Sequence, residues 1–322
     1  MRVLILADPI TSLKLGTDTS LYLMRQFIDE NHIVDWAEPR HVSWLADRLV
    51  VESNRVEESG TWEVGPKLQG ARFRELSDYE LVLIRKDPPF DMNYQRLCWL
   101  LSSCEGRLVI SNSPSLLLQH HEKMLPLTAV SQGVLTANDI ISTCITDDHG
   151  VAIRFVKSLH SANIIMKPWL GHGGRDIQLL DAQGFMDEAT KYFQNGERWM
   201  LQPFEEAVFT RGDRRVLFLG GKYLGDFVRL PKSGQFISNL IRGGQAFLRE
   251  MDEQEKELVR RLEPWLAKLG LDFVGADFIN GKLTEINVTS PTGFRNYEDL
   301  TSKNLASWVI EYLTKKVIRD LS

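Results

Sequence analysis

The sequence predicts an α/β protein of two or three domains, and three observations predict it. Short apolar strands alternate with amphipathic helices from the first residues onward. The 322 residues suffice for that many hydrophobic cores. With 43% hydrophobic and 25% charged residues, the chain is neither fibrous nor disordered.

The elements follow in order. Val3 to Ala7 reads as a strand, Asp18-Thr19-Ser20 as the N-cap of a helix to about Glu30, and Ile33 to Ala37 as a second strand. Leu21, Met24 and Ile28 have helical spacing. This start is Rossmann-like but lacks GxGxxG. Residues 41–75 read as a small hairpin around Ser53-Asn54 and then a polar loop. Leu81 to Ile84 is a buried strand running into Arg85-Lys86-Asp87-Pro88-Pro89, where the prolines stop it. Charges at such a strand end line a ligand crevice or face solvent, and both remain open. After a strand at Leu108 to Ile110, Ser113-Pro114-Ser115 opens a helix to about Leu127 that carries Glu122 and Lys123.

Asn163 to Lys167 and Ile177 to Leu180 form a hairpin around the loop Gly171-His172-Gly173-Gly174. This is a strand-loop-strand unit, and no GxxxxGK[ST] occurs. A helix (Phe185 to Phe193), a strand (Trp199 to Pro203) and a meander follow. The meander joins Arg214 to Leu219 and Lys222 to Arg229 through Gly220-Gly221. Residues 231–245 are glycine-rich with few apolar anchors and read as a lid that is mobile without ligand. A helix from Glu250 to Leu269 ends at Gly270, and Ser302 to Leu321 closes the chain.

A net charge of -5 and the absence of basic runs argue against nucleic acid or an anionic membrane as partner. Three cysteines without CxxC or zinc spacing read as buried free thiols. The apolar run at the N-terminus is too short for a signal-peptide core, and no segment approaches a membrane span, so a cytoplasmic protein is expected.

The most informative stretch is Val274 to Asn287, VGADFINGKLTEIN. It sets Asp277, Glu285 and Asn287 around a tight turn on otherwise apolar strands. Carboxylate and amide oxygens are ligands for a hard divalent cation, and magnesium held this way commonly also holds phosphates. A two-residue loop at Asn280-Gly281 would send Glu285 away from Asp277. A three-residue loop (Ile279, Asn280, Gly281) pairs Phe278 with Lys282 and puts Asp277, Glu285 and Asn287 on one face with Leu283, so it is the expected register. An ordinary half-buried hairpin is the equal alternative. Lys167, ending its strand before the glycine loop, either meets phosphate or snorkels to solvent. Arg214 and Arg215 must face opposite ways, and His172 faces ligand or solvent.

In chain order these pieces resemble the ATP-grasp superfamily. More closely, IRKDPPFD (Ile84 to Asp91), NSP…HEK (Asn112 to Lys123), IIMKP…GGRDI (Ile164 to Ile177), GDRRVL (Gly212 to Leu217) and LTEINVTSPTGFR (Leu283 to Arg295) resemble bacterial glutathione synthetase. The resemblance implies an ATP-grasp fold behind an N-terminal Rossmann-like domain. Its units would be 1–122, a small subdomain 123–203, and a large subdomain 204–322 bearing the metal site and the loop 231–245. It implies ATP phosphates on Lys123 and Lys167, covered by Gly171, Gly173 and Gly174, with Gln202, Pro203 and Phe204 beside adenine. Arg215 and Arg229 would meet the reacting phosphate, and Asp277, Glu285 and Asn287 would hold magnesium, or manganese in its stead. Arg85, Ser290, Thr292 and Arg295 would lie near the peptide substrate. The implied reaction joins γ-glutamylcysteine and glycine through an acyl phosphate in a homo-oligomer, a tetramer. A related ligase with another acid or amine, and a non-catalytic nucleotide-binding relative, are the alternatives. The chain departs from the pattern at Ile237, where the family carries arginine; Arg242 is the candidate substitute. It departs again at Trp169-Leu170 before Gly171, where an acidic residue is usual, and around Gly293-Phe294.

Overall fold

The computed structural model describes residues 1–57, 65–171, 173–238, 240 and 243–321. The expectations for His172 and Arg242 lie outside these residues, as does residues 58–64 of the expected polar loop.

The N-terminal unit comprises β1 (Arg2–Ala7), α1 (Thr19–Asp29), β2 (Ile33–Ala37), β3 (Val42–Leu45), β4 (Arg48–Val56), β5 (Leu68–Glu75), β6 (Leu81–Arg85), α2 (Met92–Ser102) and β7 (Val109–Ser111). Its sheet runs β3-β4-β2-β1-β6-β7, with β5 on β4. The β2-β1-β6-β7 pairs are parallel, which explains the continuous apolar runs: helices cover both faces. Asp18 caps α1, accepting from the amides of Ser20 and Leu21 at 2.7 and 3.1 Å. The hairpin expected at Ser53-Asn54 turns instead after Leu45, which pairs with Arg48. Ser53 stays mid-strand because its hydroxyl is buried against the Tyr79 hydroxyl at 2.8 Å, which in turn donates to Asp35 at 3.0 Å. Part of the expected loop is β5.

The helix expected from Ser113 to Leu127 is two, α3 (Pro114–Gln119) and α4 (Leu125–Ser131). Pro126 suits the first turn of a helix and would break the interior of a longer one, so His120 is extended and Glu122 and Lys123 fall in the connecting turn.

The second unit is a four-stranded antiparallel sheet, β10-β9-β11-β8. It contains β8 (Cys144–Thr146), α5 (His149–Ser158), β9 (Asn163–Pro168), β10 (Gln178–Asp181), α6 (Ala182–Tyr192) and β11 (Trp199–Pro203). Ile164, Met166, Phe185, Trp199 and Leu201 form its own core.

The third unit comprises β12 (Asp213–Leu219), β13 (Lys222–Leu230), β14 (Gln245–Phe247), α7 (Glu253–Leu269), β15 (Phe273–Ile279), β16 (Lys282–Asn287), α8 (Phe294–Thr301) and α9 (Leu305–Leu321). Its antiparallel sheet runs β14-β13-β12-β15-β16. A capping box between Asp252 and Glu255 starts α7 later than expected, and Gly270, at φ 77°, ends it. The closing helix likewise starts later, preceded by an unforeseen α8.

The first and third sheets share their cores. Leu4, Leu6, Val82 and Ile84 belong to one cluster with Val216, Phe218, Ala276 and Ile286. Val3, Ile5, Leu81 and Leu83 belong to another with Leu217, Phe227 and Phe273. Asn112 joins the two sheets. Its amide nitrogen donates to the carbonyls of Phe273 and Val288 at 2.8 and 2.6 Å, and its oxygen accepts from the amides of Asp272 and Phe273, each at 2.8 Å. Among the described residues no helix is long and apolar enough to cross a membrane.

Candidate active site

The β15–β16 hairpin corrects the expected register. Asn280 and Gly281, at φ 54° and 70°, make a two-residue turn between paired Ile279 and Lys282. One step on, Phe278 pairs with Leu283 but Asp277 with Glu285, so Thr284 is the extra residue of a bulge. Its hydroxyl donates to the Asp277 carbonyl at 3.0 Å. The bulge exchanges the faces of two residues. Leu283, 1% exposed, enters the core beside Phe278, while Thr284 lines the cavity. Burying a leucine in place of a threonine favours this arrangement. Beyond the bulge, Asp277, Glu285 and Asn287 share the cavity face, as expected for a different reason.

That cavity, of about 270 Å³, lies where the three units meet. Lys123 and Lys167, Gly171, Gly173 and Gly174, and Gln202, Pro203 and Phe204 line it. So do Arg215 and Arg229, the three hairpin residues, Ser290 and Thr292. Ile165 and Lys167 are two apart on β9 and share its cavity face. Ile141, Ile165, Ile177, Phe204, Val208 and Ile279 give the cavity its apolar lining.

The charges in it are tightly paired. Arg215 grips Asp277 through Nε at 2.5 Å and Nη2 at 2.9 Å, and Arg229 Nη2 adds a third contact at 2.9 Å. Burial alone would raise the Asp277 pKa, but the two guanidiniums outweigh it and hold the carboxyl below its usual value. The Asn287 amide donates to the same carboxylate at 3.2 Å. Lys123 donates to the carbonyls of Trp169, at 2.9 Å, and Gly171, and lies 4.0 Å from Glu285. Desolvation, more than it gains from Glu285, lowers the Lys167 pKa.

Two expected residues are not brought to the cavity. Arg85 is buried beneath it, donating to Ser20 Oγ at 3.3 Å and the Pro291 carbonyl at 3.1 Å. Arg295 sits on α8, where Glu298 and Asp299 hold it at 3.4 and 2.9 Å. Gly293, at φ 112°, starts that helix and turns Arg295 away. Asp87 lines it, the crevice alternative for the charges after β6, while Glu122 and Asp213 are lining residues that were not foreseen. Glu122 is the clearest: its Oε1 accepts from the amides of Val288 and Thr289 at 3.2 and 3.1 Å and from Thr289 Oγ1 at 2.5 Å. Burial and nearby Glu285 raise its pKa. No local spacing signals this contact, which spans 166 residues.

Among the described residues no three His, Cys, Asp or Glu side chains cluster as a metal site. The hairpin offers two carboxylates and an amide, a donor set that fits magnesium, which takes few protein oxygens and leaves its other positions to water and phosphate.

Two family models match in sequence order. The prokaryotic glutathione synthetase N-terminal domain covers residues 1–117, and the prokaryotic glutathione synthetase ATP-grasp domain covers residues 134–302. The glutathione synthetase of Prochlorococcus marinus subsp. pastoris is 32% identical over 97% of this chain and 99% of its own. That of Thermosynechococcus vestitus is 31% identical over the same shares. That of Bradyrhizobium diazoefficiens is 28% identical over 98% of each. Among solved structures, D-cycloserine synthetase DcsG superposes with a TM-score of 0.67 at 16% identity, covering 98% of this chain and 99% of its own. The ATP-grasp ligase PsnB superposes at 0.62 with 14% identity, covering 99% and 98%. These likenesses show an ATP-grasp fold. With both family models and relatives matched nearly end to end, the chain belongs to the prokaryotic glutathione synthetase family.

Proposed function

We propose that the chain joins γ-glutamylcysteine to glycine, using ATP as co-substrate and releasing ADP and phosphate. The observation that carries this is the convergence, in a member of this family, of two lysines, a glycine loop, two arginines and three oxygen-bearing side chains on one cavity. In this reading Lys123 and Lys167 hold the ATP phosphates and the backbone of Gly171, Gly173 and Gly174 covers them. Gln202, Pro203 and Phe204 border adenine, with the apolar lining against its faces. The γ-phosphate passes to the C-terminal carboxylate of γ-glutamylcysteine, turning a poor electrophile into an acyl phosphate. Arg215 and Arg229 neutralise the charge that develops, and the amine then displaces phosphate. Ser290 and Thr292 border the acid, with Arg85 supporting them from beneath through the Pro291 carbonyl. Asp277, Glu285 and Asn287 would hold magnesium or manganese, which supplies positive charge to the phosphate oxygens. The segment after β13, through Phe236 and Ile237, keeps water from the acyl phosphate.

A second reading, a ligase for another acid or amine, rests on Ile237: an apolar side chain lines the cavity where the family carries arginine. Measuring ADP release with γ-glutamylcysteine plus glycine against a panel of other acids and amines decides between them. Turnover with the first pair is expected; turnover only with another would replace it. A cytoplasmic tetramer of identical subunits completes the proposal, and light scattering checks the assembly.

A further inference from the structure

We infer that Asp213 is a positioning residue that keeps Arg229 in place when Asp277 turns to a metal ion. The inference rests on the reading of Asp277 as a metal ligand and Arg229 as a phosphate-facing group.

The geometry is a chain of shared contacts. Asp213 opens β12 directly opposite Arg229 on β13, and Arg215 stands directly opposite both Phe227 and Asp277. Arg229 Nη2 reaches Asp213 Oδ2 at 2.6 Å and Asp277 Oδ1 at 2.9 Å, so one nitrogen serves two carboxylates. Among the described residues, Arg229 Nε is buried without a hydrogen-bond partner. Ser238, from the segment after β13, donates to the same Asp213 Oδ2 at 2.8 Å. Among the described residues, the other oxygen, Oδ1, is buried without a partner.

Arg215 and Arg229 pair with Asp213 and Asp277. A cation that takes Asp277 removes one of the two carboxylates that Arg229 touches. Arg229 then has Asp213 to remain on, at the mouth of β13 and against the cavity. Without Asp213 the guanidinium has Asp277 alone, and a metal must displace it from a buried ion pair. Asp213 thus permits Asp277 to serve the metal and Arg229 to serve the phosphate together. Ser238 ties the same carboxylate to the covering segment, so that segment and the arginine share one anchor.

The test uses the full chain with ADP and Mn2+, whose binding electron paramagnetic resonance reads directly without acid or amine. Asp213→Asn is expected to weaken Mn2+ binding about tenfold or more. Arg229→Gln, which frees Asp277, is expected to bind Mn2+ no more weakly than the parent chain. In the double variant the Asp213→Asn effect is expected to disappear, because its route runs through Arg229. An undiminished tenfold loss in the Arg229→Gln background overturns the inference, since Asp213 would then act by its charge alone. If Asp213→Asn fails to fold, Asp213→Ser goes through the same cycle with Arg229→Gln and the same outcomes decide; a tenfold loss in Arg229→Gln alone also overturns the inference. Hydrogen exchange at residues 232–238 supplies a second readout. Ser238→Ala and Asp213→Asn should each speed it, and together no further; additive effects count against the shared anchor. A parent chain that binds no Mn2+ with ADP overturns the metal-site reading and this inference together. Normal metal binding without glutathione formation overturns only the proposed acid and amine.

Discussion

Arg214 and Arg215 are neighbours on one strand and do opposite work. Alternation along β12 sends them to opposite faces of the five-stranded sheet. Arg214 is 0% exposed, paired with Asp226 and Glu255, and bonded to the carbonyls of Arg249 and Glu250 at 2.8 and 3.1 Å. Its partners anchor the chain as it enters α7, and it does not line the cavity. Arg215 is also buried, but its partner Asp277 faces the cavity and can be claimed by something else. Burial and ion pairing alone therefore do not mark chemistry. The distinction is whether the partner has a second, open side.

The comparison breaks first, and most visibly, at Arg215. Arg215→Ala is expected to lower kcat/KM for ADP release about a thousandfold, the loss of one transition-state charge contact. Its melting temperature should fall less than that of Arg214→Ala, because Asp277 keeps Arg229; an equal fall would make Arg215 structural like its neighbour. Arg214→Ala should do the reverse. Leaving Asp226 and Glu255 without their cation costs about 3–5 kcal/mol in a denaturant titration, while the folded fraction keeps its turnover. At the far end of the same strand, Gly221 turns at φ 76° against α7, where an added Cβ would lie 2.3 Å from the Ala267 nitrogen. Gly221→Ala should cost about 3 kcal/mol by the same titration, without touching the cavity. The smallest effect concerns His121 beside Lys123. Burial, and then Lys123, lowers its pKa to about 4 from 6.5. The fold therefore holds it neutral while the unfolded chain takes up a proton, and stability falls as pH drops from about 6.5 towards about 4. Melting temperatures across that window should fall less steeply in His121→Gln, with His120 and His32, also lowered by burial, keeping part of the slope. Asp277 cannot mimic this, because its pKa is lowered from 3.8 and its contribution is lost only below that value.

Much of this was legible in the sequence where period and punctuation agree. The strands of the parallel sheet, the Asp18 cap, the Gly270 stop and the glycine-loop hairpin follow from local patterns. The apposition of Asp277, Glu285 and Asn287 was also legible, but by the wrong route. A register argument assumes an even ladder, and the Thr284 bulge is chosen by the competition of Leu283 and Thr284 for the core. Other misses had signals. Pro126 marks a second helix start, and Arg295, Glu298 and Asp299 carry the i, i+3, i+4 spacing of a helix. Glu122 and Asp213 had none: their places depend on contacts made across the fold.

The sheets joined at Asn112 have a consequence for movement. The N-terminal sheet and the β15–β16 hairpin belong to one body, since two hydrophobic clusters run through both sheets and Asn112 bonds the seam four ways. That body can act only as an anvil. The four-stranded sheet keeps its own separate core. In the proposed reaction, opening for nucleotide and closing on it would then fall to that sheet, with the glycine hairpin as the moving jaw.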